Sequence, residues 1–144
     1  MKNLVAQFPD QLRQAIVIGE SSQITPHSSA IRNVLITGLG GSGIGGTIAA
    51  EIVSGKCPVP VVVNKDYFLP AFVDESTLVV VSSYSGNTEE TLSSLQEAQK
   101  KSAKIFVITP GGRLAELARA ESLPAYIIKP IHNPSNQPRM GIGY

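Results

Sequence analysis

A single cysteine, Cys57, and no tryptophan among 144 residues leave the chain without the usual staples of a small domain. An internal disulfide is impossible, and a cysteine-rich zinc site is excluded. An excess of charge of either sign is missing as well: twelve Lys and Arg against eleven Asp and Glu give a formal net charge of +1. With no basic stripe and no aromatic-rich RNA motif beside that balance, a nucleic-acid partner is not expected. The longest apolar runs are strand-sized, far below the ~20 residues a spanning helix needs, so no membrane association is expected. The N-terminal stretch "MKNLVAQFPDQLRQ" turns polar within a few residues and lacks the apolar centre of a signal peptide. Together these absences point to a cytosolic protein. The remaining composition, 42% hydrophobic and 16% charged, is that of a globular domain. A domain of this length buries roughly 70% of its unfolded-chain surface.

Short β-branched runs alternate with helical patterns along most of the chain. Residues 1–30 read as a helix begun by Pro9 and Asp10 and closed near Gly19, followed by a polar linker. Residues 31–129 then read as five strands, in "NVLITGLGG", "VPVVVNKDY", "STLVVVSSYSG", "KIFVITPGG" and "PAYIIKP". The helices between them lie in "IGGTIAAEIVSG", which carries small residues on its packing side, "EETLSSLQEAQKKS" and "GRLAELARAES". This alternation is the signature of βαβ units, and predicts an α/β fold: a doubly wound, five-stranded parallel sheet in the order 2-1-3-4-5 with helices on both faces. Residues 130–144, "PIHNPSNQPRMGIGY", carry prolines, glycines and asparagines without period and read as an irregular linker.

In the 2-1-3-4-5 order the first and third strands are neighbours whose crossover helices leave to opposite faces, opening a ligand crevice at their carboxyl ends. The loops expected there are "GLGGSGIGG" (38–46) and "SSYSGNTEE" (82–90). Each leads directly into a helix, so unpaired N–H groups and the positive end of a helix dipole face the same space. Glycines admit close approach of a phosphate, and the hydroxyls of Ser42, Ser83, Ser85 and Thr88 can each donate a hydrogen bond. At roughly 1.5–3 kcal/mol for each bond to a charged acceptor, four or five such donors hold a phosphate without a lysine. Two plainer readings compete. Thr88 followed by Glu89, Glu90 and Thr91 would also serve as an ordinary helix cap. Gly38, Gly40 and Gly43 spell the dinucleotide pattern G-x-G-x-x-G, but the second strand ends in Asn64, Lys65 and Asp66, with no clear ribose-binding acid at its tip.

The three segments "GLGGSGIGG", "SSYSGNTEET" and "QPRMGIGY", in this order and spacing, resemble the first half of the bifunctional phosphoglucose/phosphomannose isomerases, members of the sugar isomerase (SIS) domain family. By that resemblance, Gly41, Ser42, Ser83, Ser85 and Thr88 bind the phosphate of the sugar. Arg139 matches an arginine that steadies negative charge on the reacting sugar. Aldose–ketose isomerisation passes through an enediolate, so a guanidinium aimed at that oxyanion would stabilise the transition state more than the substrate. The family's base glutamate and ring-opening histidine lie beyond the part this chain matches. The expectation is therefore an N-terminal SIS domain, from a fragment or a truncated gene product, that binds a hexose 6-phosphate without turning it over. A regulatory phosphosugar-binding module is the alternative.

Within the chain nothing replaces the missing groups. Glu89 and Glu90 sit where carboxylates complement a helix dipole, worth roughly 0.3–1 kcal/mol. His27, in the polar linker, and His132, in a proline-broken segment, read as solvent-exposed residues, since an acid or base needs a partner held within reach, and Tyr84 and Tyr144 read as packing residues. No cofactor is implied, since an enediolate route needs no redox group, and no His, Cys and carboxylate cluster has metal-ligand spacing. The family resemblance implies pairing through helices, giving a homodimer or association with a second SIS domain.

Overall fold

The computed structural model describes residues 30–128, together with Arg13. Of the N-terminal helix expected within residues 1–30, only Arg13, helical, is among them, and the tail 130–144 lies outside the described residues. Five strands and three helices alternate: β1 (Asn33–Thr37), α1 (Gly41–Val53), β2 (Val61–Asn64), β3 (Thr77–Ser82), α2 (Glu89–Lys100), β4 (Lys104–Thr109), α3 (Gly112–Ala120) and β5 (Ala125–Ile127). All neighbouring strands run parallel, in the order β2-β1-β3-β4-β5, as the alternation predicts. The switch point falls between β1 and β3, where Leu35 lies beside Val79 and Thr37 beside Val81.

Strand residues two apart share a face, and the sequence writes that period plainly. Leu35, Val79, Val81, Ile105 and Val107 lie on one face and form the main core with Leu95 and Ala98 of α2 and Leu114 and Ala118 of α3. A buried hydrogen bond from Thr37 Oγ1 to Ser94 Oγ, 3.3 Å long, ties β1 to α2 within that layer. The opposite face carries Val34, Ile36, Leu78, Val80, Phe106 and Ile108, all half-buried. Helix α1 covers that side at β1 and β2. Its buried residues are Ser42, Gly43 and Gly46, so small residues do form its packing side. A Cβ on Gly46 would lie 2.9 Å from Ile36 Cγ2, so the helix approaches the sheet closer than any larger residue allows. The far side of α1 shows Ile44, Ile48 and Ile52, four residues apart and 60%, 44% and 70% exposed.

Two boundaries differ from the sequence reading. Helix α1 begins at Gly41, three residues before the apolar pattern starts at Ile44, because glycine-rich sequence carries no helical signal even where the chain coils. Strand β2 is four residues long, stopped at Asn64, whose side chain turns the following segment.

Candidate functional site

The carboxyl ends of β1, β2 and β3 meet at Gly38. Its N–H donates to the carbonyl oxygen of Asn64 at 3.3 Å. A Cβ placed on it would lie 2.9 Å from the Ser82 carbonyl oxygen and 3.1 Å from the Ser42 Cβ. The glycine loop and the serine loop are therefore in contact, an approach that a side chain at residue 38 would prevent. Gly40 continues the loop with φ +56°, a left-handed conformation, and Gly41, exposed, opens α1. Ser42 is buried beneath it.

Leaving β3, the serine loop stays attached to the sheet through Ser83 N–H, which donates to Ile108 O at 3.1 Å. Ser83 Oγ then accepts from Gly86 N–H at 3.1 Å, and Ser85 Oγ from Asn87 N–H at 3.2 Å. Because backbone donors occupy these acceptor positions, both hydroxyl protons are directed elsewhere. Ser83 and Ser85 each contact Thr88 Oγ1 at 3.3 Å. That is long for a bond between hydroxyls, which favour about 2.7–2.8 Å, so a stronger acceptor can draw these protons away. Ser85 is exposed, Thr88 half-buried and Ser83 buried, giving a row of hydroxyls that runs from surface to interior.

Thr88 is the N-cap residue of α2, as the plainer reading had it, yet its side chain makes no cap hydrogen bond. Among the described residues the N–H groups of Glu89, Glu90 and Thr91 have no acceptor either, so the positive end of the α2 dipole faces the hydroxyl row. At α1, Ser42 N–H and Gly43 N–H both turn back to Leu39 O, at 3.1 and 3.3 Å, and Gly41 N–H has no acceptor among the described residues. The third helix start is closed. Arg113 N–H donates to Asn87 Oδ1 at 2.9 Å and Leu114 N–H to Gly86 O at 2.8 Å, so the serine loop itself caps α3.

Of the residues singled out from sequence, Gly41, Ser42, Ser83, Ser85 and Thr88 are thus gathered at one end of the sheet. Arg139, His27, His132 and Tyr144 lie outside the described residues. Tyr84 is half-buried. Glu89 and Glu90 stand in the first turn of α2, and Glu89 Oε2 accepts from Tyr67 Oη at 3.4 Å. Desolvation and the adjoining Glu89 and Glu90 carboxylates push the Tyr67 phenol above its ordinary value. Three contributors escaped the sequence reading. Tyr67 reaches from the segment after β2 to Glu89 at the start of α2, and Asn87 caps α3. The third is a cation: a Cβ on Gly43 would lie 3.3 Å from Lys65 Cε, so a lysine stem crosses the first turn of α1, where the loops were read as uncharged. Its position one residue past β2, at the carboxyl edge beside β1, was the available signal. Among the described residues no three His, Cys, Asp or Glu side chains could hold a metal, and no helix is long and apolar enough to cross a membrane.

An open parallel sheet with its two loosest helix starts at the switch point defines a doubly wound α/β protein of the kind that takes ligands at its strands' carboxyl ends. The profile of the SIS domain matches residues 29–138, and the chain belongs to that family. It is 48% identical over 141 residues to a bifunctional phosphoglucose/phosphomannose isomerase of Caldicellulosiruptor bescii, a match covering 97% of this chain and 40% of that protein. A protein of the same name from Thermoplasma acidophilum is 48% identical over 113 residues, 78% of this chain and 33% of its own length. The chain therefore spans well under half the length of these relatives. Among solved structures, the C-terminal domain of glucosamine-fructose-6-phosphate aminotransferase from Francisella tularensis shares the fold, with TM-score 0.59 and 24% identity over 81% of this chain and 31% of that one.

Proposed function

We propose that this chain is the phosphosugar-binding SIS domain of an isomerase that interconverts glucose 6-phosphate or mannose 6-phosphate with fructose 6-phosphate. The observation that carries the reading is the pair of serines whose oxygens accept from the loop's own N–H groups. Ser83 and Ser85 are left as donors over an uncapped helix start. Gly41 N–H and the hydroxyls of Ser42 and Thr88 complete the phosphate's surroundings, and similarity to the two bifunctional isomerases narrows the sugar to a hexose. Arg139 holds the enediolate oxyanion. In the aldose-to-ketose direction a base takes the C2 proton and negative charge moves to the C1 carbonyl oxygen beside the arginine; the C2 hydroxyl proton passes to that oxygen, and the base returns its proton to C1 as the C2 carbonyl forms. The described carboxylates nearest the phosphate, Glu89 and Glu90, flank it at the start of α2, where they complement the dipole. On this reading neither of them is the base, and the chain alone binds substrate without turning it over.

Calorimetry with fructose 6-phosphate on the 144-residue chain tests this, the affinity expected being on the order of micromolar to millimolar. A coupled assay should show no turnover. Robust interconversion would place a base within these residues, and binding of NAD or NADP with none of the phosphosugar would turn the reading to a dinucleotide. The exposed Ile44, Ile48 and Ile52 stripe supports pairing with a second SIS domain, which for this chain alone is a second copy. A strict monomer in sedimentation at high concentration would remove that part. A freely diffusing sugar phosphate as substrate accords with a cytosolic setting.

A further inference from the structure

We propose that Lys65 supplies the cation of the phosphate site, held over the first turn of α1 by Asn64 and admitted by the missing side chain of Gly43. The inference rests on the phosphosugar reading above and adds to it a residue from a third strand end. Asn64 is 7% exposed and closes β2. Its amide donates to Asp66 O at 3.3 Å and to Phe68 O at 3.2 Å, curling the chain after the strand back on itself. The backbone carbonyl oxygen of Asn64 accepts from Gly38 N–H, which fixes that curl to the glycine loop. The lysine between these contacts is directed across α1. There, a Cβ on Gly43 would lie 3.3 Å from Lys65 Cε and 2.8 Å from Gly38 O, so glycine at 43 serves the lysine's path as well as the loop's packing.

Charge gives the arrangement its purpose. A phosphate dianion bound at the start of α2 would sit beside the Glu89 and Glu90 carboxylates, and hydroxyls reorganise dipoles without offsetting net charge. An ammonium on a flexible stem does offset it, and exposed Lys65 has no ion-pair partner among the described residues to hold it elsewhere. Asn64 is a positioning residue in this scheme, and Lys65 touches the ligand.

Titration calorimetry of the 144-residue chain with fructose 6-phosphate, at low and high salt, decides the matter. Lys65→Met is expected to weaken binding roughly tenfold at low salt, and the gap should narrow to a few-fold at high salt, where screening shortens the reach of an exposed charge. Lys65→Arg should stay within about threefold of the parent, because the charge is kept. Lys56→Met, an exposed lysine beyond the other end of α1, should bind as the parent does. Lys65→Gln provides the same reading should the methionine alter the melting curve. Parental affinity and an unchanged salt slope in the neutral variants overturn the role of Lys65 and leave the phosphosugar site standing. Failure of the unaltered chain to bind overturns both.

Discussion

Helices α1 and α3 begin alike in sequence, on Gly40-Gly41 and Gly111-Gly112, each with one of the pair in a left-handed conformation. Their surroundings make them opposites. At α3 the serine loop fills the helix start: Asn87 Oδ1 takes the N–H of Arg113 and Gly86 O that of Leu114. At α1 the corresponding N–H groups fold back on Leu39 within the same loop, and Gly41 N–H has no acceptor among the described residues. A glycine pair ahead of a helix is thus no sign of a ligand. What separates the two is whether a neighbouring loop has already used the donors, and here one loop closes α3 while opening its own helix, α2. The proposed site lies on the open side of that loop, whose other side is engaged in structure.

The largest effect expected is from breaking the engaged side. Gly86 has φ +70°, and a Cβ there would collide with the Gly111 carbonyl. Gly86→Ala adds roughly 1–2 kcal/mol for the left-handed backbone and about 1–3 kcal/mol for overpacking. Urea unfolding should register a loss of about 2–5 kcal/mol, with phosphosugar binding lost alongside. If stability falls and binding survives, the two sides of the loop are independent and the comparison fails.

Next comes the open side. Ser85 is exposed, and its removal leaves no buried cavity. Ser85→Ala takes away one donor to a charged acceptor, an effect of about 1.5–3 kcal/mol, or roughly ten- to a hundredfold in Kd for fructose 6-phosphate. Its melting temperature should stay near the parent's. Asn87→Ala reverses the pattern: loss of a cap costs about 0.5–2 kcal/mol of stability, while affinity changes little. An Asn87→Ala chain that binds poorly but melts normally would move Asn87 from scaffold to ligand.

Much of this was legible in advance, and what was not has a common cause. Runs such as "NVLIT" and "TLVVVS" announce strands through their period, and chirality and crossover rules then fix which ends meet, so Ser83, Ser85 and Thr88 could be placed opposite Gly41 and Ser42 from sequence. Helix α1 was started late because Gly41, Ser42 and Gly43 carry no apolar period. Lys65 and Asn87 escaped notice because their roles depend on partners 22 and 26 residues away along the chain, Gly43 and Arg113, and no local pattern records such a pairing.

The smallest effect is the sharpest control, because it lies at the opposite end of β3. Asp74 Oδ1 accepts from Ser76 N–H at 2.8 Å and from Ser76 Oγ at 2.5 Å, and Asp74 N–H donates to Thr77 Oγ1 at 3.1 Å. The side-chain bond from Ser76, seconded by the backbone one, holds the Asp74 carboxyl below its ordinary value of 3.8. A folded value depressed below the unfolded one means that the stabilisation is complete above the unfolded value. It is lost as pH falls from there through the folded value. Asp74→Asn should therefore melt slightly below the parent at neutral pH, the difference closing in acid below pH 3.8. Affinity for fructose 6-phosphate should be the same in both chains at neutral pH, since this turn precedes β3 and the hydroxyl row follows it. A shift in affinity here would mean that strain passes along β3 from one end to the other. The losses expected at Gly86 and Ser85 could then no longer be credited to the serine loop alone.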